Sequence, residues 1–234
     1  TQFRAQGLKK GLLLSQTHKS SHTRALVDLD AVGWTQRVAF LAVNREQYVF
    51  NRLHTELPDD LLYHGIHHTR DDVLPAVARL AARANLNGED RLLLRTAALY
   101  HDVGYIEQYD QNEPVGARVA VRTLPAFGYS PAQVEVVEGI ILATRMPQAP
   151  QTLLQSLMCD ADLDSLGRDD YLETSLRLRD ELALHGIAIP LRVWYERQHA
   201  FLSQHTFFTE AARSLRRAKK LENIALLERL LERY

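Results

Sequence analysis

Apolar residues recur at helical spacing along most of the chain. From Trp34 onward, Val38, Leu41, Ala42, Tyr48, Val49 and Leu53 fall on one face, which predicts an amphipathic helix ending near Pro58. Beyond it, "YHGIHHTRDDVLPAVARLAARANLNGED" predicts a turn and then a helix. Thr69 is the expected N-cap, Asp71 and Asp72 suit the positive end of the helix dipole, and "NLNG" closes the helix near Gly88. The next helix is predicted from about Glu89 to Val103, stopped by Gly104. Further helices are predicted from Pro114 to Phe127, from Pro131 to Thr144, across 151–166, from Arg168 to His185, from Pro190 to Gln204 and from Thr209 to the C-terminus. Gly128, Ser130-Pro131, "RMPQAP", Gly186 and Pro190 punctuate them. With no alternating β-run of useful length and no internal repeat at a fixed period, the expected fold class is all-α, a helical bundle with additional C-terminal helices.

Residues 1–33 break this pattern. They are polar and irregular, with "SQTHKSSHT" at their centre, and are expected to form a loosely held or partner-bound arm ahead of a single domain over 34–234. The length of 234 residues suits one core. A net charge of −1 argues against a general nucleic-acid binder, because the basic clusters Lys9–Lys10 and Arg216-Arg217-Ala218-Lys219-Lys220 are short. The single cysteine, Cys159, excludes an intrachain disulfide and fits a reducing, cytoplasmic setting, where it reads as a small buried hydrophobe. No apolar run approaches the roughly 20 residues of a membrane span, so no membrane association is expected. Leucines at 221, 226, 227, 230 and 231 make the last helix amphipathic, suited to packing within the chain or to a homodimer, with packing favoured.

The candidate chemistry lies in "LLLRTAALYHDVGYIEQYDQNEPVGA", where His101 and Asp102 sit side by side at the end of an apolar helix. Upstream stand His64, His67 and His68. Downstream, Asp160, Asp162 and Asp164 alternate with Ala161 and Leu163 in an apolar frame. A carboxylate buried without a partner is costly, so a metal ion or a dense hydrogen-bond network is the usual explanation. Imidazole plus carboxylate suits Mn, Fe, Zn, Ni or Co, with Mg suited where waters complete the shell. Spacing does not separate His67 from His68, nor Asp160 from Asp162.

"HHT" before a helix, "LYHDVGY" ending one and "DADLDSLG" later resemble the His…His-Asp…Asp signature of the HD superfamily of metal-dependent phosphohydrolases, over roughly residues 60–170. The resemblance implies an HD-type helical domain with His68, His101, Asp102 and Asp162 as metal ligands. It also matches His64 to the position where cyclic-nucleotide phosphodiesterases of this superfamily hold a proton-donating histidine. One departure matters. Many two-metal members have His-Glu after His-Asp and a further histidine near the end of the following helix, where this chain has Asn112-Glu113 and Thr144. That points to one divalent ion, and to hydrolysis rather than di-iron oxygenase chemistry.

In mononuclear members that cleave nucleotide phosphates, acidic residues shortly after His-Asp position or activate water, which makes Glu107 the first candidate, with Asp110 and Glu113. A phosphate clamp is expected at Arg145, then Arg70 and Arg118, since a guanidinium can grip two oxygens at once. The expected function is a metal-dependent phosphohydrolase acting on a phosphomonoester or phosphodiester of a nucleotide or related small phosphate. The alternative is a metal-containing regulatory module that binds a nucleotide without turnover.

Overall fold

In the computed structural model, which describes residues 44–234, the segment "LLLRTAALY" forms the buried spine of the molecule. Helix α3 (Gly88–Tyr100) buries Leu93, Leu94, Ala97, Ala98, Leu99 and Tyr100, and the small side chains among them let neighbouring helices approach closely. Asn87 caps its start, accepting from the Asp90 amide at 2.8 Å. Helices α2 (Leu74–Arg83) and α5 (Pro131–Leu142) lie against it, and α4 (Asn112–Thr123) packs on α5. Ser130 and Gln133 close a reciprocal capping box at the start of α5. Helix α6 (Leu153–Asp162), capped by Thr152, adds Leu157, Met158 and Ala161 to the core.

Helices α7 (Tyr171–Leu184), α8 (Leu191–Gln204) and α9 (Glu210–Leu231) follow, with α8 and α9 packed together. The described part of the first helix, α1 (44–56), contributes Val49 and Leu53. Among the described residues there is no strand: the fold is all-α, and Arg45–Tyr234 form one compact unit. The arm expected over 1–33 and the first turns of the helix expected from Trp34 lie outside the described residues. No helix among the described residues is long and apolar enough to cross a membrane. Cys159 is buried, and burial pushes its thiol up to about 12.

Three helix boundaries differ from expectation, each beside a candidate ligand. Thr69 is not an N-cap. The chain enters α2 through a π-helical turn, His68–Val73, in which Thr69 is itself buried; such turns are rare and often occur at functional sites. Helix α3 ends at Tyr100 rather than Val103, because Asp102 leaves helical geometry (φ −101°, ψ 4°) and Val103–Ile106 wind as a 3₁₀ turn. The helix expected across 151–166 stops at Asp162, and a second 3₁₀ turn, Asp164–Gly167, follows.

Two glycines permit a close approach here. A Cβ at Gly104 would stand 1.9 Å from the Asn112 carbonyl oxygen, and one at Gly116 would stand 2.8 Å from that of Tyr100. Without those side chains the start of α4 lies directly against the end of α3.

Candidate metal centre

The three boundaries converge. His68 opens the π turn, His101 is the C-cap of α3 with Asp102 following it, and Asp162 is the last residue of α6. His68 Nε2 stands 3.2 Å from Asp162 Oδ1 and 3.7 Å from Asp102 Oδ2. His101 Nε2 stands 3.1 Å from Asp102 Oδ2 and 3.5 Å from Asp162 Oδ1. The donor atoms of His68, His101 and Asp162 all lie within 4.8 Å of one another. Two helix C-termini meet at this point, and their dipoles favour a cation.

Each ligand is oriented by a neighbour. His101 Nδ1 donates to the Ala98 carbonyl at 2.8 Å, which leaves Nε2 as its coordinating atom. His68 Nδ1 faces Asp72 Oδ2 at 3.8 Å, and Asp72 is held by Arg168, which also pairs with Asp170. The Asn112 side-chain amide donates to Asp102 Oδ1 at 3.2 Å, so that Oδ2 turns toward the histidines. Asn112 thus orients a ligand from the position where two-metal members of the superfamily hold a histidine.

These residues fit a divalent ion. His101 Nε2 and Asp102 Oδ2 are buried and have no hydrogen-bond partner, a costly arrangement that an ion would relieve. Donor separations of 3.1 to 3.7 Å also suit it, since bonds of about 2.1 Å place neighbouring donors about 3.0 to 3.4 Å apart.

Without an ion, protons supply the balancing charge. Burial alone would lower the His68 pKa, but Asp162, Asp72 and Asp102 around it push it up to about 9. His101 is likewise held well above its ordinary value, burial being outweighed by Asp102 and Asp162. The two aspartates are held below the usual carboxylate range by these histidines, again against burial. A metal ion must displace the histidine protons. Affinity should therefore rise with pH through the neutral range, about 10-fold per unit for each proton displaced. Titration calorimetry in buffers of different ionisation enthalpy checks this; a flat profile from pH 6.5 to 8.5 would contradict it.

The alternatives left open by spacing separate here. His68 rather than His67 and Asp162 rather than Asp160 enter the cluster. Asp160 accepts from the Phe208 amide at 2.7 Å, the Thr209 amide at 2.8 Å and Thr209 Oγ1 at 2.6 Å, fixing the start of α9. Asp164 is gripped by Arg79 and Arg216.

His64 stands beside the cluster with its ring stacked on Tyr105, centroids 4.5 Å apart. Its Nδ1 donates to Glu181 Oε1 at 2.6 Å, while the backbone amides of Tyr63 and His64 donate to Oε2 at 2.7 and 2.9 Å. The Tyr109 hydroxyl donates to Oε1 at 3.0 Å. Burial favours the neutral acid, yet these bonds, that from the His64 side chain foremost, hold Glu181 below the usual carboxylate range. The ring is thereby fixed with Nδ1–H toward Glu181 and Nε2 turned away from it.

Glu181 was not among the residues read from the sequence. Its one signal is helical spacing from Thr174 and Leu178 on the packed face of α7, where a carboxylate is out of place.

A pocket of about 410 Å³ opens beside the centre, lined by His64, Asp102, Asn112, Glu113 and Asp162 and by the aromatic rings of Tyr105, Tyr171 and Phe201. Three expected residues lie elsewhere. The 3₁₀ turn after Asp102 carries Glu107 to the surface, where it pairs with Arg118. Arg70, on the outer side of the π turn, is exposed and pairs with Asp71 at 2.6 Å. Arg145, past the end of α5, lines a separate surface depression with Leu142, Met146 and Pro147. Neither expected clamp lines the pocket, because which side of a helix end faces inward is set by packing.

Comparison with curated proteins and with solved structures gives no match. Among protein families, the model of the HD domain matches residues 74–165, a segment that holds His101, Asp102 and Asp162 and begins just after His68. Residues 74–165 thus match an HD domain, and the buried His/His/Asp cluster fits an HD-type metal site.

Proposed function

We propose that the chain is a metal-dependent phosphohydrolase acting on a phosphoester of a nucleotide or related small phosphate, with one divalent ion held by His68, His101, Asp102 and Asp162. The observation that carries this reading is the pair of buried, unpartnered donors, His101 Nε2 and Asp102 Oδ2, beside a pocket that Asp102 and Asp162 also line. HD-domain proteins are largely metal-dependent hydrolases. A single ion is supported by the engagement of both side chains that stand where second-metal histidines occur. Asn112 is committed to Asp102, and Thr144 Oγ1 donates to the Ile141 carbonyl at 2.8 Å.

A divalent ion bound there would supply a water of lowered pKa and offset negative charge at phosphorus. The chain's own residues do the rest. His64, gripped at Nδ1 by Glu181 and on its face by Tyr105, is placed to pass a proton from Nε2 to a departing alkoxide. Tyr105, Tyr171 and Phe201 give the pocket an apolar wall that keeps bulk water from the reacting groups. The alternative of a nucleotide-binding module without turnover gives the His64–Glu181 pair nothing to do.

The test is removal of metal by chelator, then re-addition of Mn, Zn, Ni, Co or Mg singly, with turnover of a panel of nucleoside mono- and cyclic phosphates as the readout. Turnover lost on stripping and restored by an ion supports the reading. An ion-loaded protein that turns over nothing in the panel would overturn it.

A further inference from the structure

Resting on the phosphohydrolase reading, we infer that the site is built for a phosphodiester with apolar or aromatic alcohol groups, in preference to a phosphomonoester or a polyphosphate. The first observation is charge. Among the described residues lining the pocket are three carboxyl groups, Asp102, Glu113 and Asp162, and no lysine or arginine. Arginines near the site are committed to carboxylates: Arg70 to Asp71, Arg118 to Glu107, Arg168 to Asp72 and Asp170. Arg79 and Arg216 grip Asp164.

The two charges of a divalent ion are matched by Asp102 and Asp162, and Glu113 leaves the pocket without net positive charge. A diester brings one negative charge at phosphorus, whereas a monoester brings about 1.5 to 2 at neutral pH. Away from bulk water each uncompensated charge is costly, and sites for polyphosphates meet that cost with Lys or Arg clamps.

The second observation is the apolar lining. Tyr105, stacked on His64, and Leu166, Leu178, Tyr171 and Phe201 line the pocket together with the polar groups of Thr174 and Gln198. A diester carries two organic groups that such a lining can hold, where a monoester carries one.

In the reaction the oxygen of water forms a bond to phosphorus, and the leaving P–O bond breaks with its electron pair on the alkoxide. The alkoxide takes the proton on Nε2 of His64, whose ring at this step carries a proton on each nitrogen with Nδ1–H on Glu181. The water gives up one proton to solvent and His64 regains one from solvent, so that water is added across the P–O bond. The monoester product acquires a second negative charge in a pocket without a clamp, which favours its release over a second hydrolysis.

The experiment compares kcat/KM of the ion-loaded protein for bis(4-nitrophenyl) phosphate, 4-nitrophenyl phosphate and a nucleoside triphosphate. The diester is expected to lead by ~10-fold or more, the factor that corresponds to ~1.4 kcal/mol. Glu113→Gln, which removes one charge at nearly constant shape, and Gln198→Lys, which adds a cation to the wall, should each move the ratio several-fold toward the monoester. A monoester or triphosphate hydrolysed as well as the diester overturns this inference and leaves the phosphohydrolase reading standing. A diester preference that neither variant moves overturns charge as its cause. Turnover of none of the three by protein with bound ion overturns the underlying reading.

Discussion

Replacing Asp102 with Ala is expected to abolish both metal retention and turnover. Its Oδ2 is one of the two buried atoms at the centre left without a partner, so it has more to gain from an ion than any other oxygen there. The substitution also strands the Asn112 amide, which donates to Oδ1, and removes a charge that balances His68 and His101. Loss of one of four ligands should lower ion affinity by ~10²–10³-fold, and kcat/KM by at least ~10³. Metal content after gel filtration and steady-state kinetics at saturating ion report the two effects separately. Asp102→Asn is the comparison, since it keeps the shape and loses the charge. An Ala variant that holds its ion and works within ~10-fold of the parent would remove Asp102 from the ligand set.

Glu181→Gln should leave metal content unchanged and lower kcat by ~10²-fold, the usual contribution of a positioned proton donor. Glu181 touches none of the ligands; it acts through His64 Nδ1 and two backbone amides. Gln can still accept from the backbone, but it lacks the negative charge that Glu181 sets against the His64 ring when that ring carries a proton on both nitrogens. Glu181→Ala should do more harm to the fold, because four donors in a part-buried setting lose their acceptor, at a cost of ~2–4 kcal/mol. A merely structural role predicts a lower Tm for both variants with kcat per folded molecule unchanged. The positioning role predicts that Gln loses kcat with KM within ~3-fold and little change in Tm.

The clustered residues were legible because their types are rare inside an apolar frame: His101-Asp102 follows Ala97, Ala98 and Leu99, and Asp162 follows Met158 and Ala161. Helix number and order were legible for the same reason, since periodicity and punctuation are local. What stayed hidden depends on partners far along the chain. Spacing could not choose between Asp160 and Asp162, because the choice is made by Thr209, which holds Asp160 from far along the chain. Glu181 meets His64 only after more than half the domain has folded between them. Arg145 was read as a phosphate clamp from its place after an apolar helix and the two-oxygen grip of a guanidinium, and neither says which way the side chain faces.

The brace around the centre comes largely from outside the matched family segment, which ends at Ser165. Glu181 holds His64, Arg168 holds Asp72 behind His68, Thr209 anchors Asp160, and Arg216 anchors Asp164. The HD segment is therefore not a portable cassette in this chain. Recombined without α7 to α9, it would carry His101, Asp102 and Asp162 into a new setting while leaving behind the groups that aim them, so the unit that can be exchanged between proteins is the whole compact body from Arg45 to Tyr234.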